Sequence, residues 1–215
     1  MTTACSVSDM LMLNHNAVAL LANGNTLDAL RLFQKALSDA TKKVQQMQEG
    51  SPASPFDVRA VEVVSDLRED CSSPHNAFAI YRHAFIVNDT MTNPDEIAMV
   101  LLYNFALTFQ IQGLAKGRNQ LLRKSLKVYG LLERMISLKT STETPSWKQF
   151  LLALWMNQGH IYSHFFASAE AEHCGGRILD LLDHCFDLPM EVLIFFHQTA
   201  FHAGFSSAHQ LAPAA

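Results

Sequence analysis

Antiparallel helical hairpins, with a small β-hairpin inserted after the first of them, are the fold that this sequence predicts. Three observations carry the reading. Apolar residues recur at three- and four-residue spacing through most of the chain, and short turn sequences such as Gly24-Asn25 break that period. Between residues 56 and 87 the period gives way to runs of Val, Phe and Ile that alternate every second residue.

The first hairpin spans Met10 to Gln48. Leu13, Ala17, Leu20 and Leu21 form one apolar stripe, Gly24-Asn25 makes the turn, and Thr26 is placed to cap a second helix. That helix carries Leu27, Leu30, Phe33, Ala36, Leu37, Ala40, Val44 and Met47 on one face. Gly50-Ser-Pro-Ala-Ser-Pro55 is a linker by composition. Phe56–Val64 and Phe78–Val87 then read as two strands joined through the polar stretch Asp66–Pro74. In the second strand Phe78, Ile80, Arg82, Ala84 and Ile86 share one face, and Ala79, Tyr81, His83, Phe85 and Val87 the other.

Asn93-Pro-Asp-Glu96 opens the next helix. Asn93 is the cap, Pro94 suits the first helical position, and Glu96 is spaced to close a capping box. The helix is expected to run to Gln112 and to end at Gly113. A partner follows over Asn119–Leu138, with Leu122, Leu126, Tyr129, Leu132, Met135 and Ile136 inside. Thr144-Pro145 starts a helix holding Phe150, Leu151, Leu154, Trp155, Ile161, Tyr162 and Phe165. Another spans Ala169–Phe186, with Gly175-Gly176 read as an interruption. A last helix follows Pro189, stops near Gly204, and packs through Phe195, Phe196, Phe201 and Phe205. The expected organisation is one domain over residues 1–215, with helix pairs at 10–48, 94–139 and 145–186, an insert at 50–92 and a terminal helix at 189–204.

Composition narrows the function classes. Of 215 residues 49% are hydrophobic and 17% charged, which suits a folded chain with a substantial core rather than a disordered one. The net charge of −4 comes without a block of like charge, and the densest cations, Arg118, Arg123, Lys124 and Lys127, read as a solvated helix face, so no nucleic-acid partner is expected. The most apolar run, Ile97–Ile111, is interrupted by Asn104, Thr108 and Gln110 and reads as a buried helix rather than a membrane span. Met1–Met10 lacks a charged start followed by an apolar stretch, so an intracellular chain, cytoplasmic or nuclear, with reduced cysteines is expected.

The helix pairs can be superposed in sequence. Gly24, Ala29, Phe33, Ala36 and Leu37 have the G-x4-A-x3-F-x2-A-L spacing of the second half of a tetratricopeptide motif, and Trp155, Gly159 and Tyr162 have the W-x3-G-x2-Y spacing of its first half. Ala106, Phe109 and Gly113 match in the middle pair, where Ser125, Tyr129 and Leu132 fall in step after an insertion of about seven residues. Over Met10–Phe186 the chain thus resembles a divergent tetratricopeptide-repeat protein, an irregular α-solenoid. The phrases Asn16-Ala-Val-Ala-Leu-Leu, Leu121-Leu-Arg-Lys-Ser-Leu and Gly159-His-Ile-Tyr-Ser-His-Phe-Phe are also similar to uncharacterised helical-repeat proteins of diatoms. In such proteins small residues sit where helices cross closely.

The resemblance implies a non-enzymatic module that binds a protein or peptide partner. In tetratricopeptide repeats the first helix of each pair lines the concave side, which carries over to Asn14, Tyr103, Asn104, Asn157, His160 and His164. An asparagine in each unit is suited to bond the backbone of an extended peptide, and equally to satisfy a neighbouring helix or loop. Lys and Arg do not occupy these positions, so a clamp for acidic peptide tails is not expected. His160 and His164, with His173-Cys174 and His184-Cys185, raise the alternative of a metal-binding protein. No HExxH, Gly-x-Ser-x-Gly or P-loop pattern occurs, so no catalytic residue, resident metal or cofactor is assigned. A structural subunit of a larger assembly is the remaining alternative.

Overall fold

The computed structural model describes residues 6–46, 55–63, 78–138 and 144–210. They form seven helices, α1 (Val7–Ala22), α2 (Thr26–Gln46), α3 (Pro94–Ala115), α4 (Asn119–Ser137), α5 (Pro145–His164), α6 (Ser168–Leu182) and α7 (Met190–Gln210). Two strands, β1 (Val58–Glu62) and β2 (His83–Val87), pair antiparallel with Val58 opposite Val87 and Glu62 opposite His83. The protein is thus mainly α with a small two-stranded sheet, as its sequence predicts. The residues expected to connect the strands, Asp66–Pro74, lie outside the described residues.

The chain divides into two compact units, one made of residues 1–67 and 82–146, the other of 68–81 and 147–215. In the first, hairpins α1–α2 and α3–α4 stack through α2 and α3, and β2 lies against α1 and α3. Helix α3 is therefore covered by α2, α4 and β2. By length and composition it could cross a membrane, but 83% of its most apolar window is buried by the protein itself. Its polar exceptions, Asn104, Thr108 and Gln110, are all at 0% exposure and all bonded.

Local chemistry explains the ends of the elements and corrects several expectations. Helix α1 begins at Val7 rather than Met10, because Ser6 and Asp9 form a reciprocal capping box. The first turn is closed by Gly24 in the left-handed region (φ +77°). Asn25, not Thr26, caps α2: its Oδ1 accepts from the Asp28 N–H, and Thr26 Oγ1 instead accepts from Gln112 Nε2. Asn93 caps α3 as expected, accepting from the Asp95 N–H.

Gly113 does not end α3. It sits inside the helix, where a Cβ would come within 2.8 Å of Leu122 Cδ2, and Gly117 (φ +60°) makes the turn instead. Gly175-Gly176 likewise leave α6 unbroken, and Gly204 leaves α7 unbroken, since a helical glycine costs only about 1 kcal/mol relative to alanine. Helix α6 itself stops at Leu182, four residues short of Phe186. The second unit packs α6 on α7, and Lys148 at the start of α5 bonds Asp187 and the His184 carbonyl.

The second strand is shorter than its sequence run and does not alternate. Only His83–Val87 pair with β1 as strand, and Ala84, Phe85, Ile86 and Val87 are all buried. A strand held between a sheet partner and helices has no solvent face, so the two-residue period carries no inside–outside signal there.

Candidate functional site

Each unit has its own asparagine clamp. Asn104 on α3 and Asn157 on α5 each take both backbone groups of one extended residue. Asn104 Oδ1 accepts from the Phe85 N–H at 2.8 Å while its Nδ2 donates to the Phe85 carbonyl at 2.7 Å. Asn157 does the same for Tyr81, accepting from its N–H at 2.9 Å and donating to its carbonyl at 3.2 Å. An amide side chain carries a donor and an acceptor side by side, so it completes a residue as a neighbouring strand would.

The first unit extends this pairing. Asn14 Nδ2 also donates to the Phe85 carbonyl at 3.2 Å, and its Oδ1 accepts from Asn104 Nδ2 at 3.0 Å. Tyr103 Oη donates to the His83 carbonyl at 3.2 Å, and its ring meets Phe85 edge-on at 5.0 Å and Tyr129 at 5.9 Å. Side chains from α1 and α3 thus close the edge of β2 that faces away from β1. Burial pulls the His83 imidazole below its ordinary value of 6.5, with the Glu62 carboxylate opposite pulling the other way.

In the second unit the extended segment is Phe78–Tyr81. Gln149 Nε2 donates to Tyr81 Oη at 2.7 Å, and Phe195 and Phe196 of α7 pack on the Tyr81 ring at 5.6 and 5.0 Å. Burial pushes the Tyr81 phenol up to about 12, an effect the Gln149 hydrogen bond only partly offsets. Phe78 lies over Gly159, where a Cβ would stand 2.6 Å from Cε1 of the ring. The small residue of the Trp155-x3-Gly-x2-Tyr motif therefore admits an aromatic ring of the insert, not a crossing helix. Phe195 and Phe196 pack as expected, whereas the side chains of Phe201 and Phe205 lie outside the described residues.

Of the six positions expected to line a concave face, Asn14, Tyr103 and Asn104 come together around β2, all at 0% exposure. Asn157 and His160 are buried in the second unit, and His164 is half-buried with its ring edge-on to Phe165 at 5.3 Å. Of the two roles open to the asparagines, the structure shows the second: Asn14, Asn104 and Asn157 satisfy the backbone of the chain's own insert, not that of a partner peptide. Sequence reasoning missed Gln149, Phe78 and Tyr81 as parts of these contacts. No local signal marks them, since the pairs are 68 to 81 positions apart in sequence.

The histidine and cysteine positions do not assemble. Among the described residues no three His, Cys, Asp or Glu side chains are placed to share a metal ion. His173 and His184 are exposed, His184 Nδ1 lies 2.9 Å from the Asp180 carbonyl, and Cys174 and Cys185 are buried. Burial raises the Cys185 thiol, with Lys148 lowering it and Asp187 adding to the rise, which works against a reactive thiolate. Compared with known proteins, the chain matches no family model, no curated protein and no solved structure.

Proposed function

We propose that the protein is a non-enzymatic interaction module, a helical-hairpin scaffold that holds a protein partner. What supports this reading is the helical-hairpin frame, whose asparagines Asn104 and Asn157 are spent on the chain's own Phe85 and Tyr81, which leaves only its outer surfaces to a partner.

Energetics decide which part of that frame a partner can reach. Phe85, Ile86 and Val87 are at most 7% exposed, and burying such side chains contributes about 1.5–3 kcal/mol each. Their sum, roughly 5–9 kcal/mol, is comparable to the whole stability of a typical domain, about 5–15 kcal/mol. Strand β2 is then a fixed part of the fold and not a plug that a partner expels.

The test is native purification of the tagged chain from its own cells, with light scattering on the eluted species. A stoichiometric protein partner, and a mass above the 24.0 kDa of the single chain, is the expected result. Recovery of the chain alone at 24.0 kDa under native conditions would overturn the reading.

A further inference from the structure

We infer that the outer edge of β1 takes up an extended segment of a partner protein as a third, antiparallel strand. This deepens the interaction-module reading and rests on it. The register shows which backbone groups are involved. Val63 N–H donates to the Arg82 carbonyl and Asn88 N–H to the Asp57 carbonyl, so the odd-numbered residues from Asp57 to Val63 turn their backbone groups toward β2. By the alternation of an antiparallel ladder, Val58, Ala60 and Glu62 direct theirs the other way. Among the described residues no backbone or side-chain group bonds them on that side.

The two edges of this sheet are treated differently. Asn14, Tyr103 and Asn104 close the far edge of β2. On the β1 edge closure stops at Phe56, whose carbonyl accepts from Thr144 Oγ1 at 3.0 Å. Val58 is itself buried, and beyond it no group among the described residues closes the edge, with Arg59 and Glu62 exposed and Ala60 and Val61 half-buried. An open row of alternating donors and acceptors is matched by another extended backbone and by little else.

Charge selects the kind of segment. Arg59 and Glu62 are three residues apart and so lie on opposite faces of the strand. An antiparallel partner is favoured by a cation opposite Glu62 and an anion opposite Arg59, which reads basic-x-x-acidic with apolar or small residues between. A second copy of this chain fits worse. Pairing β1 with itself about Ala60 would set Val58 against Glu62 and place the two Arg59 side chains diagonally on one face.

The probe is a blocked peptide, acetyl-Ser-Lys-Val-Thr-Glu-Val-Ser-amide, titrated into the full ¹⁵N-labelled chain. Its Lys would face Glu62, its Thr Ala60 and its Glu Arg59. The amide resonances of Val58, Ala60 and Glu62 are expected to shift more than those of Arg59 and Val61. N-methylation of the peptide Thr, whose N–H faces Ala60, should abolish the shifts, whereas N-methylation of the preceding Val should leave them. Ala60→Pro should weaken binding by at least about tenfold, because its N–H points away from β2 and its loss spares the β1–β2 ladder. Absence of shifts at millimolar peptide, equal loss with both methylated peptides, or dimerisation through β1 would each sink the inference. If the edge fails these tests while the chain still co-purifies with a protein, the interaction-module reading stands without it. If the peptide pairs with the edge but no protein co-purifies, the module reading is the one that falls.

Discussion

Replacing Asn104 by alanine tests whether the asparagine clamp carries the weight assigned to it. The side chain makes three hydrogen bonds, to the Phe85 N–H, the Phe85 carbonyl and Asn14 Oδ1, at 2.7 to 3.0 Å. In the variant the Phe85 carbonyl keeps Asn14 Nδ2 at 3.2 Å. The Phe85 N–H and Asn14 Oδ1 lose these bonds in a region with 0% exposure at Asn14, Phe85 and Asn104. Removing one partner of a buried hydrogen bond costs about 1–3 kcal/mol, so the two lost bonds should cost about 2–6 kcal/mol. Urea unfolding followed by helical circular dichroism measures it directly. A loss for Asn104→Ala below about 1 kcal/mol would refute the reasoning.

Two further predictions concern the second unit. Gly159→Ala places a methyl 2.6 Å from the Phe78 ring and should cost about 1–3 kcal/mol in urea unfolding, with most of it recovered by adding Phe78→Leu; absence of recovery would place the strain elsewhere. Tyr81 should govern alkaline stability. Its folded value near 12 lies above the ordinary 10, so the unfolded chain releases the proton first. The stabilisation is fully present below pH 10 and is lost as pH rises from 10 toward about 12. Tyr81→Phe should flatten that part of the stability–pH curve, and an unchanged slope would count against a buried phenol as its source.

The helical frame was legible because its information is local. Periodicity placed all seven helices, and caps such as Asn93-Pro94 marked starts that depend on neighbouring residues alone. The Ser6-x-x-Asp9 box was equally local and was simply the signal left unread. Glycine misled where its role is set by a distant residue. Gly113 and Gly159 look like breaks or crossings in sequence, but their smallness is required by Leu122 and Phe78.

The candidate site divides along the same line. That an asparagine in a first helix would bond an extended backbone could be argued from its amide alone. Which backbone it bonds depends on contacts such as Asn14 to Phe85, 71 residues apart, and Asn157 to Tyr81, 76 apart, which no local pattern encodes. The two-sided burial of β2 likewise erased the alternation by which strands are recognised.

The threading of the insert has a bearing on how the chain reaches its native state. Repeat arrays of helical hairpins are built from neighbours in sequence, and chains rich in such contacts fold fast. Here the second unit draws residues 68–81 from a part of the chain synthesised well before α5 begins. During translation Phe78 and Tyr81 must wait for Gly159 and Asn157 to emerge, while the neighbouring Ala84–Val87 can already settle on α1 and α3. Completion of the second unit is then a late, long-range closure, with a greater loop-closure entropy to overcome than the formation of any single hairpin.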